Sequence, residues 1–293
     1  MDNFYLTLPC SVKGVTQENV LSDYITHLPR TIELEDRWEV ALVEFHFNKS
    51  WYNLENDTYI GLKTLDNLFL AFCDDALPAG KYPLDQLITE INKLLNEFAS
   101  SSTTLKSVSH VTEFRKISKA ASLSVDLASN RIIMNPGLTE RNEVLLPVFT
   151  DEFYELLGMT NRMHEHPYSI SSNTKLTDEE LLFLSTHEEE AIIGPLYSER
   201  AYDIERGIHS IFVYSDIVKE NLIGDKTVQC LRVCTLPQRN FGETINLTFD
   251  QPHYLPLSKR SFSTIRVTLK DKTNEQIRFQ FGETLVKLHF KKC

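Results

Sequence analysis

The segment Thr264-Ile-Arg-Val-Thr-Leu-Lys270 decides the fold class, because apolar and polar residues alternate along it with a period of two. Its three apolar side chains would lie on one face of a strand and its polar ones on the other. The same alternation recurs in Glu243–Phe249 and in Thr284–Phe290. Antiparallel strands with one buried face show this pattern. The C-terminal third therefore predicts a β-sandwich or barrel, with loops too short to hold an obvious catalytic centre.

A fourth strand is predicted at Ser210–Val218, where the consecutive apolar residues Ile211, Phe212 and Val213 would make both faces of the strand apolar. Such a run is typical of a strand that is covered on both faces. Turn signals separate these strands at Ile223-Gly224-Asp225, Asn240-Phe241-Gly242 and Phe281-Gly282-Glu283. Glycine-containing turns at these positions favour several short strands over one long helix.

The first part of the chain predicts further strands at Phe4–Leu8, Thr31–Leu34 and Trp38–Phe47. In the last of them, apolar residues occupy even positions up to Leu42 and odd positions from Val43 onward. Either both faces of this strand are buried or a bulge switches its register. In both cases we expect a central strand of a sheet.

The middle of the chain has a different pattern. Apolar residues recur every three or four positions from Leu84 to Phe98, which predicts an amphipathic helix that begins near Pro83. A hairpin is predicted around residues 124–134, a second helix is predicted at Thr150–Gly158, and the capping-box spacing of Thr177–Glu180 before Leu181 and Leu182 predicts a third. We therefore predict a mainly β protein, with a β-domain built from residues 1–65 and 200–293 and an α+β insertion at residues 66–199.

Composition excludes several classes of protein. Hydrophobic residues make up 42% of the 293 residues, including 17 Phe and 11 Tyr, so the chain can bury a sizeable core. The net charge of −11 opposes direct binding to nucleic acid, whose phosphates would be repelled. The basic residues Lys259, Arg260, Lys291 and Lys292 could form a local patch, but few charges are involved and solvated strand ends explain them as well.

The N-terminus lacks the basic and apolar segments of a secretory signal, and we expect a soluble protein without a membrane span. The five cysteines are odd in number and scattered, which fits reduced thiols in the cytosol or nucleus. Cys230 and Cys234 fall on one face of a strand, but roughly 13 Å of strand separates them, too far for one metal ion. We expect buried thiols there.

One motif suggests metal chemistry. Gly158 is followed, after five intervening residues, by His164-Glu-His166, which matches the start of the metal motif of cupins, a family of double-stranded β-barrels. No Glu follows at the required spacing and no later His element is present, so a third ligand is missing. Nucleophile elbows, phosphate-binding loops and dinucleotide fingerprints are also missing. We predict no catalytic, cofactor-binding or metal-binding residues and no cofactor.

Aromatic side chains next to strands are the candidate interface residues. Trp51 and Tyr52 directly follow a core strand, and Tyr254 lies in the rigid loop Pro252-His-Tyr-Leu-Pro256. Large aromatic residues are enriched in protein interfaces, although half-buried structural aromatics are equally common. Both interpretations remain open for these three residues.

Several ordered blocks of the sequence resemble the penton, or minor capsid, proteins of Maverick/Polinton elements and adintoviruses. In chain order, the main blocks are Phe4-Tyr-Leu-Thr-Leu-Pro9, Trp38-Glu-Val-Ala-Leu-Val-Glu44, Ser50-Trp-Tyr-Asn53, Ile208-His-Ser-Ile-Phe-Val-Tyr-Ser-Asp-Ile-Val218, Leu231-Arg-Val233, Pro252-His-Tyr-Leu-Pro-Leu257 and Lys287-Leu-His-Phe290. Two positions depart from the family pattern: Ser215 replaces a cysteine, and Ile223 replaces a valine. Neither change affects the expected fold.

The resemblance implies a single jelly-roll β-sandwich that carries no catalytic residues. It implies a homopentamer at the fivefold vertices of an icosahedral capsid, surrounded by a double jelly-roll major capsid protein. The chain would then be located in the virion, after synthesis in the host cytoplasm and assembly there or in the nucleus. Two alternatives remain: a carbohydrate-binding or receptor-binding jelly-roll module, and a cupin-like metal enzyme using His164 and His166.

Overall fold

The computed structural model describes residues 2–11, 20–64, 69–73, 75–100, 105–107, 114–159 and 195–293. By its internal contacts the chain divides into two compact units: unit 1 comprises residues 1–52 and 207–293, and unit 2 comprises residues 53–206. Neither helix in the described part of the chain is long and apolar enough to cross a membrane.

Unit 1 is built from strands. They are β1 (Asn3–Ser11), β2 (Asp23–Glu33), β3 (Trp38–Asn48), β14 (Ser210–Ser215), β15 (Asn221–Ile223), β16 (Lys226–Val228), β17 (Cys230–Thr235), β18 (Thr244–Thr248), β19 (Leu255–Pro256), β20 (Ser261–Lys270) and β21 (Glu283–Lys292). The first sheet has the order β1-β21-β3-β18, with β19 also paired to β3. The second sheet has the order β17-β14-β20-β2, and β15 and β16 form a separate hairpin.

This strand order is that of a jelly roll. Along the chain the eight main strands alternate between the two sheets, except that β14 and β17 belong to the same sheet. All pairings within the two sheets are antiparallel. Two four-stranded antiparallel sheets connected in this way define the eight-stranded jelly roll. The predicted fold class is confirmed.

The bulge predicted as one alternative for β3 is present. The register between β21 and β3 shifts between Lys287, which pairs with Glu44, and Leu288, which pairs with Leu42. Val43 is the extra residue, so Val40 and Leu42 point into the core before the bulge and Phe45 and Phe47 do so after it. As expected, β3 is central, because it pairs with both β21 and β18.

Strand β14 differs from its prediction. It ends at Ser215, and its burial alternates: Ile211 and Val213 are buried whereas Phe212 is only half-buried. One face of this sheet is therefore open to solvent, and β14 is not covered on both faces. The apolar residues Ile217 and Val218 are buried after the strand has ended.

A continuous apolar core lies between the two sheets of unit 1. Residues from the first sheet, such as Phe45, Phe47 and Phe290, belong to the same cluster as Ile265 and Val267 of the second. Their exposed fraction is 0%. Side chains of this size leave little space between the sheets, so the interior is a packed core.

Unit 2 contains helices and shorter strands. They are β4 (Gly61–Thr64), β5 (Phe69–Phe72), α1 (Leu84–Ser100), β6 (Leu105–Ser107), β7 (Phe114–Arg115), β8 (Ile117–Lys119), β9 (Ser122–Asp126), β10 (Arg131–Asn135), β11 (Gly137–Thr139), β12 (Val144–Val148), α2 (Asp151–Leu156) and β13 (Leu196–Tyr197). Its sheets have the orders β7-β6-β5-β4-β12-β11-β8 and β13-β10-β9. The buried face of α1, with Leu87, Ile91 and Leu95, belongs to a second core separate from that of unit 1.

The sequence predicted several of these elements. The amphipathic helix is α1, and the hairpin is formed by β9 and β10. Helix α2 lies within the predicted segment, and Gly158 after it has a φ of +73°. Thr150 is at the N-cap position of α2, but its side chain makes no capping hydrogen bond. The predicted helix at Thr177–Glu180 lies outside the described residues.

Candidate assembly surfaces

The described part of the chain contains no cluster of three or more His, Cys, Asp or Glu side chains that could hold a metal ion. The two histidines of the cupin-like motif, His164 and His166, lie outside the described residues. The Asn53 amide exchanges hydrogen bonds with the backbone of Tyr82, and the Asp57 carboxylate accepts one from the amide of Ala79. These groups fix a loop of unit 2.

The three buried thiols of unit 1 are unsuited to nucleophilic chemistry. Cys10, Cys230 and Cys234 are buried and free. Burial raises the pKa of Cys230 to about 11 and that of Cys234 to about 12. Since the thiolate is the nucleophile, these groups are protonated and inert at neutral pH. Their placement confirms the expectation of buried thiols.

Tyr254 belongs to a cluster of ring and cationic side chains on the outward face of the first sheet. Its hydroxyl lies 2.7 Å from Nδ1 of His289, with which it shares a hydrogen bond. Tyr5, which is 56% exposed, stacks on the imidazole with ring centroids 4.3 Å apart. The Lys291 ammonium lies 4.1 Å from the centre of the Tyr254 ring. Adjacent strands bring these residues together, because β21 pairs with β1 and with β3.

The imidazole in this cluster is held neutral. Burial, and secondly the positive charge of Lys291, lower the pKa of His289 below its ordinary value of 6.5. Nε2 of His289 is buried and has no hydrogen-bond partner among the described residues. The cluster is thus a preformed surface of stacked rings whose positive charge is that of Lys291.

Trp51 is a core residue in this structure. Its side chain is 3% exposed, and its ring packs against Phe47 and Phe279 with centroids 6.4 Å and 5.9 Å away. The backbone of Trp51 also forms an isolated bridge with Phe279. Trp51 therefore supports the loop between β20 and β21 from below, and its ring is not presented on the surface.

Tyr52 lies beside a pair of exposed phenylalanines. Phe241 and Phe281 contact each other edge to face, with centroids 5.5 Å apart and an interplanar angle of 89°. Tyr52 packs against Phe241 at 6.0 Å. We call Phe241 and Phe281 the aromatic pair. They lie at the turns that precede β18 and β21, beyond the C-terminal end of β3, whereas Tyr254 lies near the start of β3. The structure therefore does not bring Tyr52 and Tyr254 together.

The end of unit 1 that carries the aromatic pair also contains a cleft of about 520 Å³. It is lined by Val20–Ser22, just before β2, and by Glu275–Phe279, between β20 and β21. We call this end, with the loops 20–22, 49–52, 236–243 and 271–282, the apolar end, and this cleft the apolar-end cleft. Trp51 packs behind Phe279, one of the lining residues.

The opposite end of unit 1 is rich in ion pairs, and we call it the charged end. A cleft of about 710 Å³ there is lined by residues of the loops after β2 and before β20. Lys259 lies 2.7 Å from Asp216 and Lys292 lies 2.6 Å from Asp36. Basic residues of the candidate patch are thus neutralised within the chain, as solvated strand ends would be.

Sequence reasoning missed several residues that the structure places on these surfaces. Phe241 and Phe281 entered only as parts of turn signals, although each precedes a glycine with positive φ at a loop tip. Tyr5 and His289 occupy outward positions of β1 and β21, which the period of two indicates. Their contact joins strands from opposite ends of the chain, and nothing local predicts it.

No protein-family model matches the chain, and no curated protein matches it. Among solved structures, it is similar to the mavirus penton protein, with 14% identity, coverage of 99% of this chain and 100% of that chain, and a TM-score of 0.47. It is also similar to a chain of the Sputnik virophage, with 11% identity, coverage of 100% and 98%, and a TM-score of 0.45. At TM-scores below 0.5, neither likeness carries a functional argument.

Proposed function

We propose that this chain is a structural capsid protein, a penton that forms homopentamers at the fivefold vertices of an icosahedral capsid. Its direct partners in the proposal are four copies of itself and a double jelly-roll major capsid protein. It acts without catalysis or a cofactor and makes no direct contact with nucleic acid. It is made in the host cytoplasm and carried in the virion.

The observation that carries this proposal is the jelly roll with a filled interior. The inward positions of both sheets hold large apolar side chains that are fully buried, among them Phe45, Phe47 and Phe290. A protein of this kind has little space for a ligand between its sheets, and its function lies on its outer surfaces. Capsid assembly uses such surfaces.

The sequence blocks that resemble pentons support the proposal in a second way. Six of the seven main blocks fall on strands of unit 1, namely β1, β3, β14, β17, β19 and β21, and the seventh, Ser50–Asn53, follows β3. A fold alone does not specify a function, but ordered blocks distributed over one sandwich are more specific than the fold. In the proposal, residues 66–199 form an α+β insertion domain that is not part of the jelly roll.

A fivefold ring needs a heterologous interface, in which one surface of a subunit meets a different surface of the next. Tyr52 and Tyr254 remain candidates for such contacts, because both are half-buried and lie near exposed ring clusters. The ring of Trp51 is buried, so we assign Trp51 a supporting role beneath the loop between β20 and β21.

Co-expression with a double jelly-roll major capsid protein tests the proposed function. We expect particles that contain this chain at their vertices, visible as pentamers by cryo-electron microscopy. Native mass spectrometry of the purified chain would give the mass of five subunits if pentamers form without the major capsid protein. A chain that stays monomeric in solution and is left out of every particle would overturn the proposal.

The carbohydrate-binding alternative is less well supported by the geometry. A sugar-binding platform needs an open aromatic face, but the Lys291 ammonium lies over the Tyr254 ring, and one face of the Tyr5 ring is occupied by His289. We therefore expect no specific signal for this chain on a glycan array. A strong, selective signal would favour the alternative instead.

A further inference from the structure

The aromatic pair is a small apolar projection at the apolar end. Phe241 is 37% exposed and Phe281 is 42% exposed, although each already covers part of the other. Single exposed apolar residues are normal on protein surfaces. Two phenyl rings in contact at adjacent loop tips form a patch, and aromatic residues are enriched in the centres of interfaces.

Hydrogen bonds hold the projection rigidly. The Ser50 hydroxyl donates to the carbonyl of Phe281 at 2.7 Å, and the amide of Gly242 donates to the carbonyl of Lys49 at 2.8 Å. The ammonium of Lys49 donates to the carbonyl of Arg239 at 2.8 Å. Both turns are thus fixed to the segment that follows β3. Little conformational entropy would be lost when a partner covers the rings.

The apolar-end cleft is a receptor of suitable size on the same unit. Its volume of about 520 Å³ falls in the range of clefts that enclose organic groups. Val20 on its wall is exposed, Ile277 is buried in its floor, and Phe279 is held in place by Trp51. Among the residues that the structure describes, the exposed apolar side chain on the cleft wall is that of Val20, and Phe279 lies beside it half-buried.

The projection and the cleft flank the loop between β20 and β21 on different sides. One wall of the cleft is the segment before β2, so the cleft lies near β1 and β2, which are edge strands of the two sheets. The projection is formed with the turn before β18, which is the opposite edge of its sheet. Two different surfaces that match each other generate a head-to-tail contact, which forms a ring when the rotation between subunits closes and an open filament when it does not.

Each of the two surfaces carries one basic and one acidic side chain, so an ion pair can form between them. Arg239 and Glu243 flank Phe241 in the turn before β18, and Glu275 and Arg278 line the cleft. Arg239 and Glu275 are exposed, and within the described ranges neither side chain takes part in an ion pair. A second copy of this chain can therefore place Arg239 opposite Glu275. This complementarity favours a second copy over an unrelated partner.

We propose that Phe241 and Phe281 of one subunit insert into the cleft formed by Val20–Ser22 and Glu275–Phe279 of the neighbouring subunit. This contact rests on the proposed pentamer and identifies the surfaces that join its subunits. Arg239 of the inserting subunit pairs with Glu275 at the rim of the cleft. The apolar end of each subunit then lies near the axis of the ring.

The first test compares the double variant Phe241→Ser with Phe281→Ser against a control, Leu127→Ser with Leu222→Ser, which replaces two exposed apolar residues outside the apolar end. Native mass spectrometry and incorporation into co-expressed particles are measured for both, with circular dichroism to verify folding. We expect the pentamer fraction of the first variant, or its incorporation into particles, to fall at least tenfold. The control should keep both quantities at the level of the unmodified chain. Equal behaviour of the two variants would overturn the inserted contact.

The second test detects the contact directly by cross-linking, so it does not depend on weakening the assembly. In a background with Cys293→Ser, the pair Val20→Cys with Phe241→Cys should form a disulfide between subunits on mild oxidation. Ladders of covalent multimers are expected on a non-reducing gel, and the pair Val20→Cys with Leu222→Cys should give none. Pentamers that assemble without this cross-link refute the contact but leave the penton function intact. If the unmodified chain neither forms pentamers nor enters particles, the proposed function itself fails.

Discussion

The two ends of the jelly roll differ in whether their surface side chains have partners within the chain. At the charged end, Lys259 and Lys292 find carboxylate partners in the same chain. At the apolar end, Phe241 and Phe281 remain partly exposed next to an open cleft. Exposed ion pairs contribute little free energy and need no further partner, whereas exposed apolar area is stabilised when another surface covers it. The apolar end is therefore the one on which assembly should depend.

The largest expected difference between the two ends is the loss of stability when the tryptophan at each end is replaced. Trp51 is buried behind the cleft at the apolar end, while Trp38 at the charged end is half-buried and donates to the carbonyl of Glu35. We expect Trp51→Ala to lower the free energy of unfolding by about 3–5 kcal/mol. The matched change Trp38→Ala should cost about 1–2 kcal/mol, since less apolar area is lost. Urea denaturation measures both values, and similar costs would contradict the contrast.

Two glycines extend the comparison to the backbone. Gly282 at the apolar end has a φ of +102°, and a Cβ there would overlap the side chain of Asn48. The side-chain amide of Asn48 donates a hydrogen bond to the Thr244 hydroxyl and accepts one from the backbone amide of Glu283. Gly224 at the charged end has a φ of +60°, and a Cβ added there would meet no other atom within 4 Å.

We expect Gly282→Ala to cost about 2–4 kcal/mol, because backbone strain is added to displaced hydrogen bonds. Gly224→Ala should cost about 1 kcal/mol from the left-handed conformation alone. Thermal unfolding of both variants provides the measurement. A larger loss at Gly224 would show that the turn at Gly282 tolerates movement, and the rigid placement of Phe281 would then be in doubt.

Two carboxylates give the smallest expected effect. Asp23, where β2 starts at the apolar end, accepts hydrogen bonds from Arg266, Thr268 and Gln276. The bond from Arg266 is the main cause that holds the pKa of Asp23 below its ordinary value of 3.8. Its stabilisation is therefore complete above this value and is lost as the pH falls through the lowered pKa.

We expect Asp23→Asn to lose about 1 kcal/mol at neutral pH, since Arg266 is partly exposed to solvent. This loss should shrink in strong acid, where the wild-type carboxyl is also protonated. Asp36→Asn at the charged end should leave the melting temperature unchanged within error, because its ion pair with Lys292 is exposed to solvent. Melting temperatures from neutral pH down to about pH 2 test both variants. A constant difference for Asp23→Asn would exclude the carboxylate as its cause.

Sequence patterns predicted the parts of this fold that depend on local periodicity. The alternation in β18, β20 and β21, the helical stripe of α1 and the shift of parity at Val43 all follow from side chains that enter a core. The phase of alternation also indicated that His289 faces outward. For β14 the pattern misled, because Phe212 is apolar but lies on the half-open face of its sheet.

The candidate surfaces could not be predicted in the same way. Strand pairing determines which residues become neighbours, and β3 pairs with a strand more than 200 positions later in the chain. The tyrosine and histidine cluster and the aromatic pair both depend on such pairings. Trp51 illustrates the opposite problem, because an aromatic residue after a core strand has the same sequence signature whether it is buried or exposed.

The position of β21 in its sheet has a consequence for biosynthesis. β21 lies between β1 and β3, yet it follows both in chain order, and the hydrogen bond between Glu283 and Asn48 spans 235 positions. During translation, β1 and β3 therefore wait with unpaired backbone edges until the ribosome has made β21. Unpaired edges of this kind promote aggregation. The first sheet closes late, after residues 53–206 have been made, so a chaperone that covers the waiting edges would favour a high yield of native protein.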